Sequence, residues 1–220
     1  MAAIPPDYDA DPQRWLSHDR SWLVDGDAHE LAAARIEAEH RSPVLDLGCG
    51  DGRLAELLPS TVTCFGVDSS VRQLASSRTP VVRAGACQLP WRAGTFGAVA
   101  ALWMLYHLDQ PVEALREGYR VLRPGGMFLA ATAARTNDPE LTGGYPATTF
   151  DAEDAPELVA TVFGDELEVI RWDGPLVVLP TRDAIRRYCR SHGLPAERAG
   201  EVEAPLTLTK RGCLVLAIKR

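Results

Sequence analysis

Two hydrophobic rhythms alternate along the chain. Short unbroken apolar runs, of the kind buried on both faces of a sheet, are separated by stretches whose apolar positions recur every three or four residues. The runs fall at residues 43–47, 62–67, 81–84, 96–102 and 127–132. Helical spacing covers 53–58, 70–78 and 109–122, and an earlier helix opens at Asp27, a plausible N-cap, and ends near His40. Arg123-Pro124-Gly125-Gly126 breaks the third of these helices and turns the chain into the fifth run. Strand and helix in strict alternation predict a parallel sheet covered on both faces.

The last third is less regular. A Gly/Pro/Thr-rich loop spans 137–149, a helix 152–163 and a strand 167–172. Thr181 caps a helix running to His192, and a long acidic loop follows. Residues 206–208 and 213–218 read as two short strands joined by Lys210-Arg211-Gly212, a hairpin-like connection that places an antiparallel pair at the sheet edge. Before all this, residues 1–26 mix Pro, Asp and Trp without a clear period, although Pro12 can open a short helix carrying Trp15 and Trp22.

Composition narrows the function classes. The 220 residues carry 46% hydrophobic and 24% charged side chains, enough for one substantial core and one domain. A net charge of −7 offers no global positive field to collect nucleic-acid phosphates or an anionic membrane, so both partners are disfavoured. The five cysteines, Cys49, Cys64, Cys87, Cys189 and Cys213, show no CxxC pair and no Cys/His ligand spacing, as expected of free thiols in a reducing cytoplasm. The polar, acidic N-terminus lacks the features of a signal peptide, and no window approaches a membrane span; a cytoplasmic location is expected. Only Lys210 and Lys219 among 23 basic residues are lysines, a bias that points to a GC-rich bacterial genome.

The chemistry lies where the first strand meets the next helix. Asp46-Leu47-Gly48-Cys49-Gly50-Asp51-Gly52 has side-chain-free positions that let a ligand approach backbone amides. The nicotinamide fingerprint GxGxxG fails, because the sixth position from Gly48 is Arg53; the pattern present is DxGxGxG. Asp68 ends the second strand, 68 − 46 = 22 residues after Asp46, where a carboxylate can accept hydrogen bonds from two ribose hydroxyls. A helix cap is the alternative role for such an acid.

These residues resemble the class I S-adenosylmethionine-dependent methyltransferases, in the small-molecule branch with ubiquinone-biosynthesis-like sequences. VLDLGCGDG is similar to the family's first motif, GVDSS to the second, and LPWRAGTFGAVAALWMLYHL with EGYRVLRPGG to the third and fourth blocks. The resemblance runs from about Val44 to Thr132. It implies a Rossmann-like fold: a mostly parallel seven-stranded sheet with an antiparallel edge strand and helices on both faces. It also implies a single domain divided into an N-terminal helical segment and lid (1–42), a cofactor core (43–132) and a substrate-side region with the sheet edge (133–220). The cofactor implied is S-adenosyl-L-methionine, leaving as S-adenosyl-L-homocysteine, with no metal. The residues implied around it are Asp46, Gly48, Cys49, Gly50, Asp68, Ser69, Ala86, Cys87, Leu102 and Trp103. Relatives place an aspartate after the third strand on the adenine amino group, but here Gly85 stands in its place, leaving Ala86, Cys87 or Gln88 to substitute. Gly97 stands where relatives often have aspartate, and reads as a capping change.

The acceptor side is less determined. His107 follows the fourth strand within a turn and is the candidate base, with a packed or capping histidine as the alternative. Tyr8, Trp15, His18, Trp22, Tyr106 and Tyr145 are the candidate substrate contacts, and residues 1–26 are expected to close over the cofactor; the buried face of a helix is the alternative for Trp15 and Trp22. Arg182, Arg186 and Arg190 line one face of the late helix, either solvated or an anion site, with Glu197, Glu201 and Glu203 as their nearest acids. The leading expectation is methyl transfer to O, N or C of a small metabolite, in bacterial secondary metabolism, by a monomer or homodimer. The alternatives are an RNA or protein methyltransferase, and a non-catalytic S-adenosylmethionine-binding regulatory subunit.

Overall fold

The computed structural model describes residues 9–10, 20–24 and 27–220. Within them seven strands form one sheet: β1 Val44–Leu47, β2 Cys64–Asp68, β3 Val81–Arg83, β4 Phe96–Leu102, β5 Leu122–Ala133, β6 Leu167–Leu179 and β7 Leu206–Ile218. The order is β3-β2-β1-β4-β5-β7-β6. Neighbours among β1 to β5 are parallel, while β7 runs antiparallel to both β5 and β6, so six strands point one way and β7 against them. The order reverses between β2-β1 and β4, which opens a crevice beyond the carboxyl ends of these strands.

The seven α-helices among the described residues are α1 Ala28–Ala38, α2 Arg53–Leu57, α3 Val71–Leu74, α4 Pro111–Val121, α5 Ala155–Phe163, α6 Arg182–Ser191 and α7 Arg198–Glu201. Every residue of β1 and β4 is buried, which is why their sequences show continuous apolar runs. One face of the sheet packs Leu45, Val99 and Phe128 against Ala114 and Leu115 of α4 and Val159 and Phe163 of α5. The other packs Val44, Ala98 and Leu129 against Ala32 and Ile36 of α1 and Leu54 of α2. In α4 the stripe Pro111, Ala114, Leu115, Gly118, Val121 faces inward, and Gly118 is required because a Cβ there would stand 2.7 Å from the Phe128 ring. A third core, distinct from the two faces, joins the outer halves of β6 and β7 to α6 through Leu179, Leu208, Ile185 and Tyr188.

The hairpin expected at Lys210-Arg211-Gly212 is absent: β7 is one strand of 13 residues, paired with β6 along its length. Each residue that reads as a turn has a partner instead. The Lys210 ammonium donates to Asp138 at 2.7 Å, the Arg211 guanidinium to Asp173 at 3.0 Å, and Gly212 lies under the Trp172 indole, where a Cβ would stand 2.5 Å from the ring. For the same reason β6 continues past Trp172 to Leu179. The helix expected over 70–78 is confined to Val71–Leu74, and the acidic loop contains α7. The five cysteines are free thiols, four of them buried.

Candidate functional site

The glycine loop holds three departures from ordinary backbone geometry, at alternate positions: Gly48 at φ +65, Gly50 at φ +53 and Gly52 at φ +92. All lie in the left-handed region that side chains disfavour. Two amides, Gly48 N and Cys49 N, donate to the Val67 carbonyl at 2.8 and 3.1 Å and so tie the loop to the end of β2. Gly48 is also needed for packing, because a Cβ would approach the Met104 Cβ to 2.7 Å. Met104 begins the turn after β4, so the loop and that turn meet face to face.

Asp68 binds the site together. Its Oδ2 accepts from Gly50 N at 3.0 Å and its Oδ1 from Ser70 N at 2.9 Å, joining the glycine loop to the start of α3. Each oxygen spends one lone pair on these bonds and keeps capacity for further donors. Ser69 lies between Asp68 and Ser70, and its carbonyl accepts from the Arg83 guanidinium at 3.1 Å.

Asp46 differs. It is 4% exposed, near the end of β1, and among the described residues no donor reaches its carboxylate. Burial, reinforced by Asp68 and then Asp51, pushes its pKa up to about 8. A buried acid without a partner, two more carboxylates beside it and a loop of left-handed glycines fit a ligand that brings a positive group and polar hydroxyls. The same surroundings keep the neighbouring thiols protonated: burial and then Asp46 push Cys64 up to about 12 and drive Cys49 higher still.

After β3, a Cβ placed on Gly85 would meet nothing within 4 Å. Ala86 is buried, while Cys87 and Gln88 are exposed. Burial, followed by Glu113 and Glu117, raises the Cys87 pKa. Gly97 is a packing requirement and not a capping change: a Cβ there would press on the Arg123 guanidinium at 2.9 Å and the Ser42 carbonyl at 2.9 Å.

Beyond β4 the chain places Leu102 in the core, then Trp103 at φ +60, a conformation costly for a bulky residue and concentrated at functional edges. Its indole meets that of Trp172 edge to face at 5.8 Å. Trp172 was not among the sequence candidates, since it reads only as a strand end. A single turn, Leu105–His107, follows; there the Tyr106 and His107 rings lie 4.3 Å apart. The loop after β5 packs against this turn, with the Thr149 hydroxyl donating to the Leu108 carbonyl at 2.7 Å. Tyr145 on that loop is half-buried, and its phenol donates to Asp138 at 2.9 Å.

Tyr8, Trp15 and His18 lie outside the described residues, as does most of the helix expected to carry Trp15 and Trp22. Trp22 itself is not presented as an open contact: it is 4% exposed, 6.3 Å from the Tyr188 ring, with the Arg187 guanidinium 5.0 Å over its face. Two described pieces of the N-terminal segment reach the glycine loop and the start of α3. Asp9 accepts from the Ser70 hydroxyl at 2.5 Å and from Arg72 N at 3.1 Å, and one Arg20 nitrogen donates to both Asp51 oxygens at 2.8 and 2.9 Å. Arg182, Arg186 and Arg190 are exposed on α6, and of the acids expected beside them Glu201 pairs instead with Arg198 at 2.9 Å. Among the described residues no group of His, Cys, Asp and Glu is arranged to hold a metal, and no helix is long and apolar enough to cross a membrane.

Residues 45–130 match the family model described as a methyltransferase domain. The malonyl-[acyl-carrier protein] O-methyltransferase of Enterobacter lignolyticus is 28% identical over 185 residues, covering 80% of this chain and 74% of that protein. The ubiquinone biosynthesis O-methyltransferase of a Caulobacter species is 33% identical over 126 residues, about half of each chain. A solved S-adenosylmethionine-dependent methyltransferase from Thermotoga maritima, described as a possible histamine N-methyltransferase, shares the fold with a TM-score of 0.61, 19% identity and 97% coverage of both chains. In its matched core the chain is similar to methyltransferases acting on small molecules, and in its fold to a solved S-adenosylmethionine-dependent methyltransferase.

Proposed function

We propose that the protein transfers the methyl group of S-adenosylmethionine to O, N or C of a small metabolite in bacterial secondary metabolism. The observation that carries this reading is the pairing, at one crevice, of a polar half suited to the cofactor and an aromatic half suited to an acceptor. Asp68 would hold the ribose and Asp46 the cationic amino-acid end. The loop from Gly48 to Gly50 would lie along the methionine part, with Leu102 and Trp103 bordering it and Ser69 beside the ribose. Ala86 and Cys87 would flank the adenine, whose amino group meets no side chain at Gly85.

When bound, the sulfonium supplies an already activated methyl group, so the protein's task is alignment and exclusion of water. The turn carrying Tyr106 and His107 and the loop carrying Tyr145 form the wall against which an acceptor would be oriented. His107 stands as the base for acceptors that must lose a proton, such as alcohols and ammonium groups; phenolates and carboxylates need none. Residues 1–26 would cover the cofactor, supported by Asp9 at α3 and Arg20 at Asp51.

A second reading is a carrier-bound carboxylate. The relative that acts on a malonyl carrier protein aligns with four fifths of this chain, and Arg182 and Arg186 form an exposed cationic strip on α6.

The test is incubation with methyl-labelled cofactor and a metabolite extract of the source cell, with mass detection of labelled product. A labelled small molecule supports the first reading, a labelled protein the second, and no product alongside measurable cofactor binding supports a non-catalytic subunit. Asp68→Ala serves as the control. Losing the ribose carboxylate should weaken cofactor binding by about 1 to 3 kcal/mol in a direct titration.

A further inference from the structure

Asp46 carries an inference that rests on the cofactor reading above. The side chain is 4% exposed, on a strand flanked by two others, and no hydrogen bond from a described residue acts on it. An ionised carboxylate in such a place is costly unless paired, and a carboxylic acid is far less so. Its surroundings oppose ionisation. From β2 the Asp68 carboxylate and the Cys64 thiol face it, and from the glycine loop Asp51 and the Cys49 thiol. Across β4 its partner in register is Ala100, which brings no charge. The cations bonded around the site are committed to other acids: Arg20 to Asp51 and Glu56, and Arg53 of α2 to Asp27 and Glu30.

We propose that Asp46 is a protonated carboxylic acid in the free protein and gives up that proton when the ammonium of the cofactor's amino-acid end seats beside it. The Asp46 O–H bond breaks, the proton leaves to the solvent buffer, and the carboxylate so formed pairs with the ligand's cation. Nothing else changes in the balance. Cofactor binding is then coupled to pH through one buried group, and the product, which keeps the ammonium but has lost the sulfonium charge, is coupled in the same way.

The physical support is a competition between two costs. Without a cation, an Asp46 anion would be desolvated and would repel Asp68 and Asp51, so its acid form persists to a pH of about 8. With a cation in place, one charge is neutralised within contact distance, and the anion becomes the favoured form at neutral pH. The proton released is the difference between the two states.

Titration calorimetry of the full chain with S-adenosylhomocysteine at pH 6.5, in two buffers of different ionisation enthalpy, counts this proton. At that pH the ligand's own amine is already charged. The expected result is release of about one proton per site. Methylthioadenosine, which keeps the nucleoside and lacks the amino-acid end, should bind with no release. Asp46→Asn should bind S-adenosylhomocysteine more weakly and release none. The wild-type protein also gives a test without any variant: affinity for S-adenosylhomocysteine should rise about tenfold per pH unit from 5.5 to 7. Binding of S-adenosylhomocysteine with no buffer dependence and a flat pH profile overturns the proposal and leaves the cofactor reading intact. Equal release with methylthioadenosine also overturns it, because the ammonium is then not the trigger. Failure of all the ligands to bind overturns the cofactor reading itself.

Discussion

Two buried aspartates, one in each half of the molecule, are handled in opposite ways. Asp46, in the cofactor half, has no donor among the described residues and is driven toward its neutral form. Asp138, on the loop after β5, is fully buried at φ +52 and receives four: the Asn137 amide at 2.9 Å, the Tyr145 and Tyr188 phenols at 2.9 and 2.8 Å, and the Lys210 ammonium at 2.7 Å. Lys210 also donates to the Tyr188 hydroxyl at 2.6 Å. The network is closed on itself. Burial followed by the Asp138 charge raises the Tyr188 and Tyr145 pKa values, and burial lowers that of Lys210 against the pull of Asp138. The difference separates a site from a scaffold. A buried polar group left unmatched is a place for something else to bind, whereas one matched four times fixes the loop that carries it.

The largest effect is therefore expected in the scaffold. Lys210→Met removes one partner of the buried pair and leaves the Asp138 charge to three neutral donors, so stability should fall by about 3 to 5 kcal/mol in denaturant unfolding. Adding Asp138→Asn to Lys210→Met should restore much of that loss by removing the stranded charge. If Lys210→Met costs less than about 1 kcal/mol, the contrast between the two aspartates fails.

Next in size is Gly48→Ala. It forces a side chain into the left-handed region and drives a Cβ to 2.7 Å from the Met104 Cβ. A loss of about 2 to 3 kcal/mol in stability, with cofactor affinity reduced at least tenfold by calorimetry, is expected. Met104→Ala in the same chain should relieve the contact but not the backbone cost, so rescue should be partial.

These two variants also show why the halves differ in legibility. The glycine loop lies within seven consecutive residues, and Asp68 follows it at a fixed interval, because a strand-turn-helix unit sets both. Local spacing therefore reports the geometry directly. Apart from the adjacent Asn137, the partners of Asp138 lie 7, 50 and 72 residues away along the chain, at Tyr145, Tyr188 and Lys210. No local pattern links them. Lys210-Arg211-Gly212 misleads for the same reason: polar residues and a glycine signal a turn only when their partners are water, and here the partners are Asp138, Asp173 and Trp172. Trp22 likewise reads either as a lid contact or as the buried face of a helix, and the Tyr188 and Arg187 side chains that decide between them lie far along the chain on α6.

The third expectation concerns Asp46 alone and has the opposite sign. An acid whose pKa is raised on folding binds more protons in the native than in the unfolded chain, so its contribution falls as pH rises from the unfolded value of 3.8 to the folded value of about 8. Asp46→Asn should abolish that decline. The variant should exceed the wild type by about 1 to 3 kcal/mol at pH 8 and match it near pH 4, less the cost of a buried amide. Thermal melts at the two values measure it. A variant less stable at both would mean that Asp46 has a donor in the free protein.

The smallest effect tests how the two halves are joined. Residues 20–24 reach both: Arg20 bonds to Asp51 of the glycine loop, while Val24 N donates to the Leu176 carbonyl of β6 at 3.0 Å and Leu23 bridges to Val177. The Arg20–Asp51 pair is about one third exposed on each side, so its direct worth is about 0.2 to 1 kcal/mol and falls with added salt. Arg20→Ala should accordingly move the melting temperature by no more than a few degrees. Its effect on the dissociation rate of S-adenosylhomocysteine should be larger than on stability, because the bond anchors the N-terminal segment on the glycine loop, which is proposed to meet the cofactor. Stopped-flow release at low and high salt separates the two quantities. A wild-type rate that rises with salt toward that of Arg20→Ala places the coupling in this bond; identical rates at both salts would leave the halves joined through the β6 contact alone.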